Sequence, residues 1–174
     1  VRATSTGGLT YDEAFTISVT DVNEAPTAIS LSNASVAENA GANATVGTLS
    51  GTDPESDAIT YTITAGGSDF NLDGTTLRAT NAFDYEVTNS YSVTVRATST
   101  GGLTYDEAFT ISVTDVNEAP TAISLSNASV AENAGANATV GTLSTTDPEG
   151  GAMIYTITAG GSDFNISGSA LRAT

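Results

Sequence analysis

Ile59, Tyr61 and Ile63 stand at alternate positions with Thr60, Thr62 and Thr64 between them, and Tyr91, Val93, Val95 and Ala97 repeat the pattern over a longer run. A period of two puts one set of side chains on each face of a pleated strand, so both stretches read as strands with an apolar face turned inward. Ile29 with Leu31, and Phe109 with Ile111 and Val113, add two more. Val46 and Leu49 break the alternation across Gly47, as a β-bulge does. Phe70 and Leu72 run through Asp73-Gly74 into Leu77 and Ala79, and Asp-Gly between two such runs is a short-hairpin signal. Gly101-Gly102 then joins the sixth strand to the seventh. The pattern predicts an all-β, seven-stranded Greek-key β-sandwich of the immunoglobulin-like kind.

The pattern also repeats. Residues 1–50 recur unchanged as 95–144, a period of 94, and from Gly51 the two copies differ at nine of thirty positions. A unit of this length is too long for a solenoid turn and suits an independent sandwich, so the modules stand in tandem. The boundary falls where alternation stops and Pro prevents ladder pairing, at Asp21–Pro26 and Asp115–Pro120. On this phase residues 1–24 are the last strands of a preceding repeat, 25–118 a complete repeat, and 119–174 the front of a following one, supplying its strands one to five.

Charge narrows the function. The chain has 4 Lys+Arg against 20 Asp+Glu, a net charge of −16, and neither His nor Cys. Phosphate neutralisation by Lys and Arg is therefore unavailable, which argues against nucleic acid as a partner. No thiol or imidazole can act as nucleophile, base or soft-metal ligand, and only oxygens remain, which suit Ca²⁺ or Mg²⁺. No apolar run approaches the roughly 18 residues of a membrane span, so no membrane insertion is expected of this segment. Carboxylate pairs such as Asp53 with Glu55 serve glycosidases, but here they lie on end loops with no Trp as a sugar platform, and no enzyme activity is expected. Acids also simply solvate a surface, and Asp12, Glu13, Asp106, Glu107, Asp57, Asp69 and Asp73 are read that way.

Five short stretches point to a family: Val-Ala-Glu-Asn at Val36–Asn39, Thr-Asp-Pro-Glu at Thr52–Glu55, Phe-Asp-Tyr-Glu at Phe83–Glu86, Val-Arg-Ala-Thr at Val95–Thr98 and Asp-Val-Asn-Glu-Ala-Pro at Asp115–Pro120. Their order and spacing resemble cadherin repeats, in particular the cadherin-like tandem repeats of large bacterial surface adhesins. That resemblance implies Ca²⁺ at each junction between modules. Carried over by position, the junction near residue 118 would use Glu38, Asp84 and Glu86 from the complete repeat, Asp115, Asn117 and Glu118 from the linker, and Asp147 and Glu149 from the following repeat. The corresponding positions of the first junction are Asp21, Asn23, Glu24, Asp53 and Glu55. Clustered carboxylates repel one another unless a divalent cation neutralises them, which agrees with the implication. Two positions depart from the family pattern: Ser5 and Ser99 stand where an Asp ligand is expected, and Glu55 replaces an Asp. Fewer carboxylates imply weak binding, at about 10⁻⁴ to 10⁻³ M.

The resulting expectation is a structural spacer, the stalk of an extracellular adhesin at a bacterial cell surface, stiffened by Ca²⁺ and partnered by neighbouring repeats of the same chain. A second expectation is a self-assembling extracellular fibre subunit. In that reading split repeats complete one another by strand complementation, a form of homotypic self-association.

Overall fold

The computed structural model describes residues 1–174, and all of its regular structure is strand. Residues 1–24 carry β1 (Arg2–Thr4) and β2 (Thr10–Asp12). The middle of the chain carries β3 (Ala28–Leu31), β4 (Ser35–Ala37), β5 (Thr45–Thr52), β6 (Ile59–Ala65), β7 (Phe70–Asp73), β8 (Thr76–Ala79), β9 (Ser90–Ser99) and β10 (Thr104–Thr114). After it come β11 (Ala122–Leu125), β12 (Thr139–Thr146), β13 (Phe164–Ser167) and β14 (Ala170–Ala173).

The middle strands form two four-stranded sheets, β3-β5-β8-β7 and β4-β10-β9-β6. One core holds them together. Ile29, Val46, Leu49, Phe70 and Leu77 from the first sheet meet Val93, Val95, Ala97, Ile111 and Val113 from the second, all buried, as the alternation predicts. The connections from β5 to β6, β6 to β7 and β8 to β9 cross between the sheets, which is the sandwich's crossover pattern. The bulge also falls where the sequence places it, with the β5–β8 register shifting between Thr45 and Gly47. At the β7–β8 hairpin, Gly74 takes the first central position of a two-residue turn with φ +59°, a conformation that costs glycine nothing.

The strand count differs from the expectation: eight segments occupy the middle module. The extra one is β4. The chain leaves the first sheet at Leu31, crosses, and enters the second by pairing parallel with the end of β10, Ser112 opposite Ser35 and Thr114 opposite Ala37. Three residues are too few to show an alternation, so the sequence does not announce it. The crossing is held by Asn33, whose Nδ2 donates to the carbonyls of Ser35 and Val46, each at 2.7 Å. Gly47 makes that approach possible, since a Cβ there would lie 2.5 Å from the Asn33 carbonyl oxygen. Gly141 repeats the arrangement against Asn127, at 2.4 Å. Gly47→Ala is therefore expected to push backbone from backbone and to lower stability by about 2 kcal/mol, read as a shifted urea midpoint. An unchanged midpoint would mean the crossing has slack.

Identical sequence takes different forms in the two copies. Residues 104–114 make one long strand because β9 pairs with it on one side and β4 on the other. In the identical residues 10–20 only Thr10–Asp12 is strand, and Phe15, Ile17 and Val19 are exposed. A two-stranded ribbon alone has no face to bury, so its ladder stops early. In residues 119–174 strands one, two, four and five appear as β11 to β14, whereas residues 153–159, the counterpart of β6, carry no strand, which departs from the expectation of five.

Candidate metal centre at the module junction

Three local structures bring acids to the far end of the middle sandwich. First, β4 ends at Ala37 and the Glu38 N–H continues its pairing, donating to the Thr114 carbonyl at 3.0 Å. The Glu38 side chain is thereby turned into the end of the sandwich, where it is only 1 % exposed. Its Oε2 accepts the Tyr85 N–H and its Oε1 the Val116 N–H, both at 2.7 Å. Those two N–H groups hold the Glu38 carboxyl below the usual carboxylate range against the opposing effect of burial, and Glu86 adds to the lowering.

Second, Phe83 is buried with its ring centroid 5.7 Å from Phe70 and 4.4 Å from Tyr91. This anchor fixes the loop that follows. Asp84 Oδ1 accepts the Val87 N–H at 2.9 Å and shapes the turn, leaving Glu86 at the exposed end. Third, β10 runs directly into Asp115, and the linker beyond it meets the next module, where the Glu118 N–H donates to Glu149 Oε1 at 3.0 Å. Glu149 Oε2 is buried without a hydrogen-bond partner.

One oxygen each from Glu38, Glu86, Asp115 and Glu149 lies within 4.8 Å of the others. Two of these acids come from the middle module, one from the linker and one from the module after it. The charges act on one another most clearly at Glu86. Its own backbone N–H favours the carboxylate, but burial and the negative charges of Glu38, Glu118 and Asp115 outweigh it, and its proton affinity rises. A cation at the centre of the cluster would reverse that effect. Ca²⁺ holds oxygens at about 2.3–2.6 Å, so ligands across it stand roughly 4.6–5.2 Å apart, whereas Mg²⁺ draws them about a half-ångström closer on each side. The all-oxygen donor set and the unpartnered Glu149 oxygen suit a hard divalent cation such as Ca²⁺.

The other residues expected at this junction are not members of the cluster. Asp84, Glu118 and Asp147 lie outside the four-carboxylate set, and Asn117 Nδ2 donates to the Glu118 carbonyl at 3.1 Å. At the first junction the Glu24 N–H donates to Glu55 Oε2 at 3.1 Å, repeating the Glu118–Glu149 contact. Asp53 Oδ1 accepts the N–H groups of Glu55 and Asp57, each at 3.1 Å, while its Oδ2 is buried and unpartnered. Asp21 and Asn23 are exposed there. Ser99, at the position where an Asp is expected, is buried and its Oγ donates to the Leu103 carbonyl at 3.4 Å.

Two features escape the sequence reading. Asn39 adopts φ +55°, which a short amide side chain tolerates, and its Nδ2 donates to Glu118 Oε1, tying the linker back to the sandwich. Its place in Val-Ala-Glu-Asn is the only signal. Asp12 and Asp106, read as solvated acids, form two-pronged pairs with Arg2 and Arg96 through contacts of 2.7 Å. Each pair spans opposed residues of one hairpin, so the partners become legible only once the register is known.

Comparison with known proteins agrees with this architecture. Residues 32–114 match the Cadherin domain family model. Cadherin-99C of Drosophila melanogaster is 30 % identical over 161 residues, a match that covers 87 % of this chain and 9 % of that protein. The crystal structure of human protocadherin-24 EC1-2, form II, superposes with a TM-score of 0.65 at 19 % identity, covering 80 % of this chain and 71 % of that one. Drosophila N-cadherin EC1-4 gives 0.62 at 22 % identity, covering 85 % and 41 %. The sandwich has the fold of the cadherin domains on which it superposes, and residues 32–114 within it match the Cadherin domain family model.

Proposed function

We propose that this chain is a length of non-catalytic extracellular stalk, in which Ca²⁺ bound between consecutive modules fixes the angle of one against the next. The observation that carries the reading is the four-carboxylate cluster drawn from two modules and their linker. Glu38, Glu86, Asp115 and Glu149 would hold the ion, with Asp84, Asn117, Glu118 and Asp147 close in sequence to complete its shell. Asp21, Asn23, Glu24, Asp53 and Glu55 are the corresponding set at the first junction, for the module preceding residue 25 to complete. An ion there would neutralise mutually repelling charge and make a bend between modules cost ligand contacts. The five motifs resemble the repeats of bacterial surface adhesins, and a stalk that holds an adhesive domain away from a bacterial surface is the setting we favour.

The alternative reading is self-association by strand complementation between split repeats. Small-angle X-ray scattering in EDTA and in calcium tests both readings at once. The stalk reading predicts a monomer's mass at every concentration and a narrower distribution of long dimensions in calcium. A mass that grows with concentration supports complementation, and identical profiles with and without calcium contradict stiffening.

A further inference from the structure

The linker is held by its own backbone. Between Asp115 and Glu118 the chain offers three consecutive N–H groups after the last strand, and two of them end on buried or half-buried carboxylates of different modules. Val116 donates to Glu38 Oε1 at 2.7 Å, and Glu118 donates to Glu149 Oε1 at 3.0 Å. The other Glu38 oxygen takes the Tyr85 N–H at 2.7 Å, so one carboxylate joins the linker to the Phe83–Glu86 loop. The first junction repeats the second contact, with the Glu24 N–H on Glu55 Oε2 at 3.1 Å. None of these bonds involves a cation.

We infer that Glu38 and Glu149 are positioning residues, a pair of carboxylate clasps that hold the linker peptide on both sides of Asn117 in ion-accepting geometry before any ion arrives. Hydrogen bonds from N–H to an ionised carboxylate are among the stronger ones, and each such oxygen keeps a second lone pair for a cation. The clasps therefore pre-organise the site without using it up. Bending in the ion-free junction is confined to the short stretch about Asn117, rather than spread along the whole linker. The consequence for stiffening rests on the calcium reading proposed above; the clasps themselves do not, and they are measured without calcium.

The test is amide hydrogen exchange followed by NMR on the full chain in EDTA. The wild type is expected to show slowed exchange at Tyr85, Val116 and Glu118. Glu38→Gln keeps the shape but leaves one acceptor oxygen for two N–H groups, so it is expected to speed exchange by about tenfold or more at whichever of Tyr85 and Val116 loses its acceptor, while leaving Glu118 alone. Glu149→Ala removes the acceptor outright and is expected to do the reverse, freeing Glu118 alone. Each variant is the other's control for a general loss of charge, and if Glu38→Gln does not fold, Glu149→Ala still decides. Free exchange of these amides in wild-type protein without calcium overturns the inference. So does a change of equal size at all three amides in either variant, which would mark a general loosening of the junction.

Discussion

Replacing Phe83 with alanine is expected to lower the stability of the middle module by about 3–5 kcal/mol, the range for removing a buried aromatic ring and leaving a cavity. The site is well suited to show it. Phe83 packs against Phe70 and Tyr91 near the end of the sandwich, and its neighbours in sequence are Asp84, Tyr85 and Glu86. The anchor holds both the core and the acidic loop, so the variant is expected to lose its response to calcium as well as its stability. Phe83→Leu refills most of the volume and is expected to cost less than half as much and to keep the response. Urea unfolding in EDTA and in calcium reads both quantities. A calcium response that survives in the alanine variant would show that the loop is placed by its own hydrogen bonds instead.

Calcium itself is expected to stabilise the chain by about 2.7 kcal/mol when its free concentration is about a hundredfold above the dissociation constant, because an ion that binds only the folded junction adds its binding energy to folding. The response should depend on pH in a particular way. Glu86 has a raised proton affinity, so the folded chain binds that proton more tightly than the unfolded one does. Without calcium its contribution to stability grows as pH falls from neutrality towards its raised value. Glu38 has a lowered one, so its contribution is complete above the ordinary glutamate range and is lost only as pH falls through its depressed value. In EDTA the unfolding midpoint is therefore expected to rise or hold between about pH 7 and about pH 5 and to fall in stronger acid. In calcium it should fall across the same interval, since protons compete with the ion for the same oxygens. Parallel pH profiles with and without calcium would place the ion elsewhere.

Much of this was legible in the alternation. The inward faces of Ile29, Phe70, Val93, Val95 and Ile111, the bulge at Gly47 and the hairpin at Gly74 follow from period two and turn chemistry, which are local. What the sequence hides is pairing. β4 is three residues long, too short to show an alternation, and is defined by its pairing with β10. The site divides along the same line. The acids are visible as motifs, but the selection of Glu38, Glu86, Asp115 and Glu149 as the set that converges depends on how loop, linker and next module meet. Asp84 shares a motif with Glu86 yet shapes a turn, and Asn39 joins the junction through a backbone angle that no spacing rule announces.

The account rests on a cation held jointly by two modules, and thermal unfolding of the wild type and of Glu149→Ala tests that most directly. Each is measured in EDTA, in about 2 mM Ca²⁺ and in about 2 mM Mg²⁺ at matched ionic strength. The wild-type midpoint is expected to rise by several degrees in calcium and much less in magnesium. Glu149→Ala, which removes the following module's member of the four-carboxylate cluster together with its hold on the Glu118 N–H, is expected to lose most of that rise. Coincident wild-type curves in all three solutions would contradict the account, leaving the carboxylates as a solvated acidic surface on a tether that no ion stiffens.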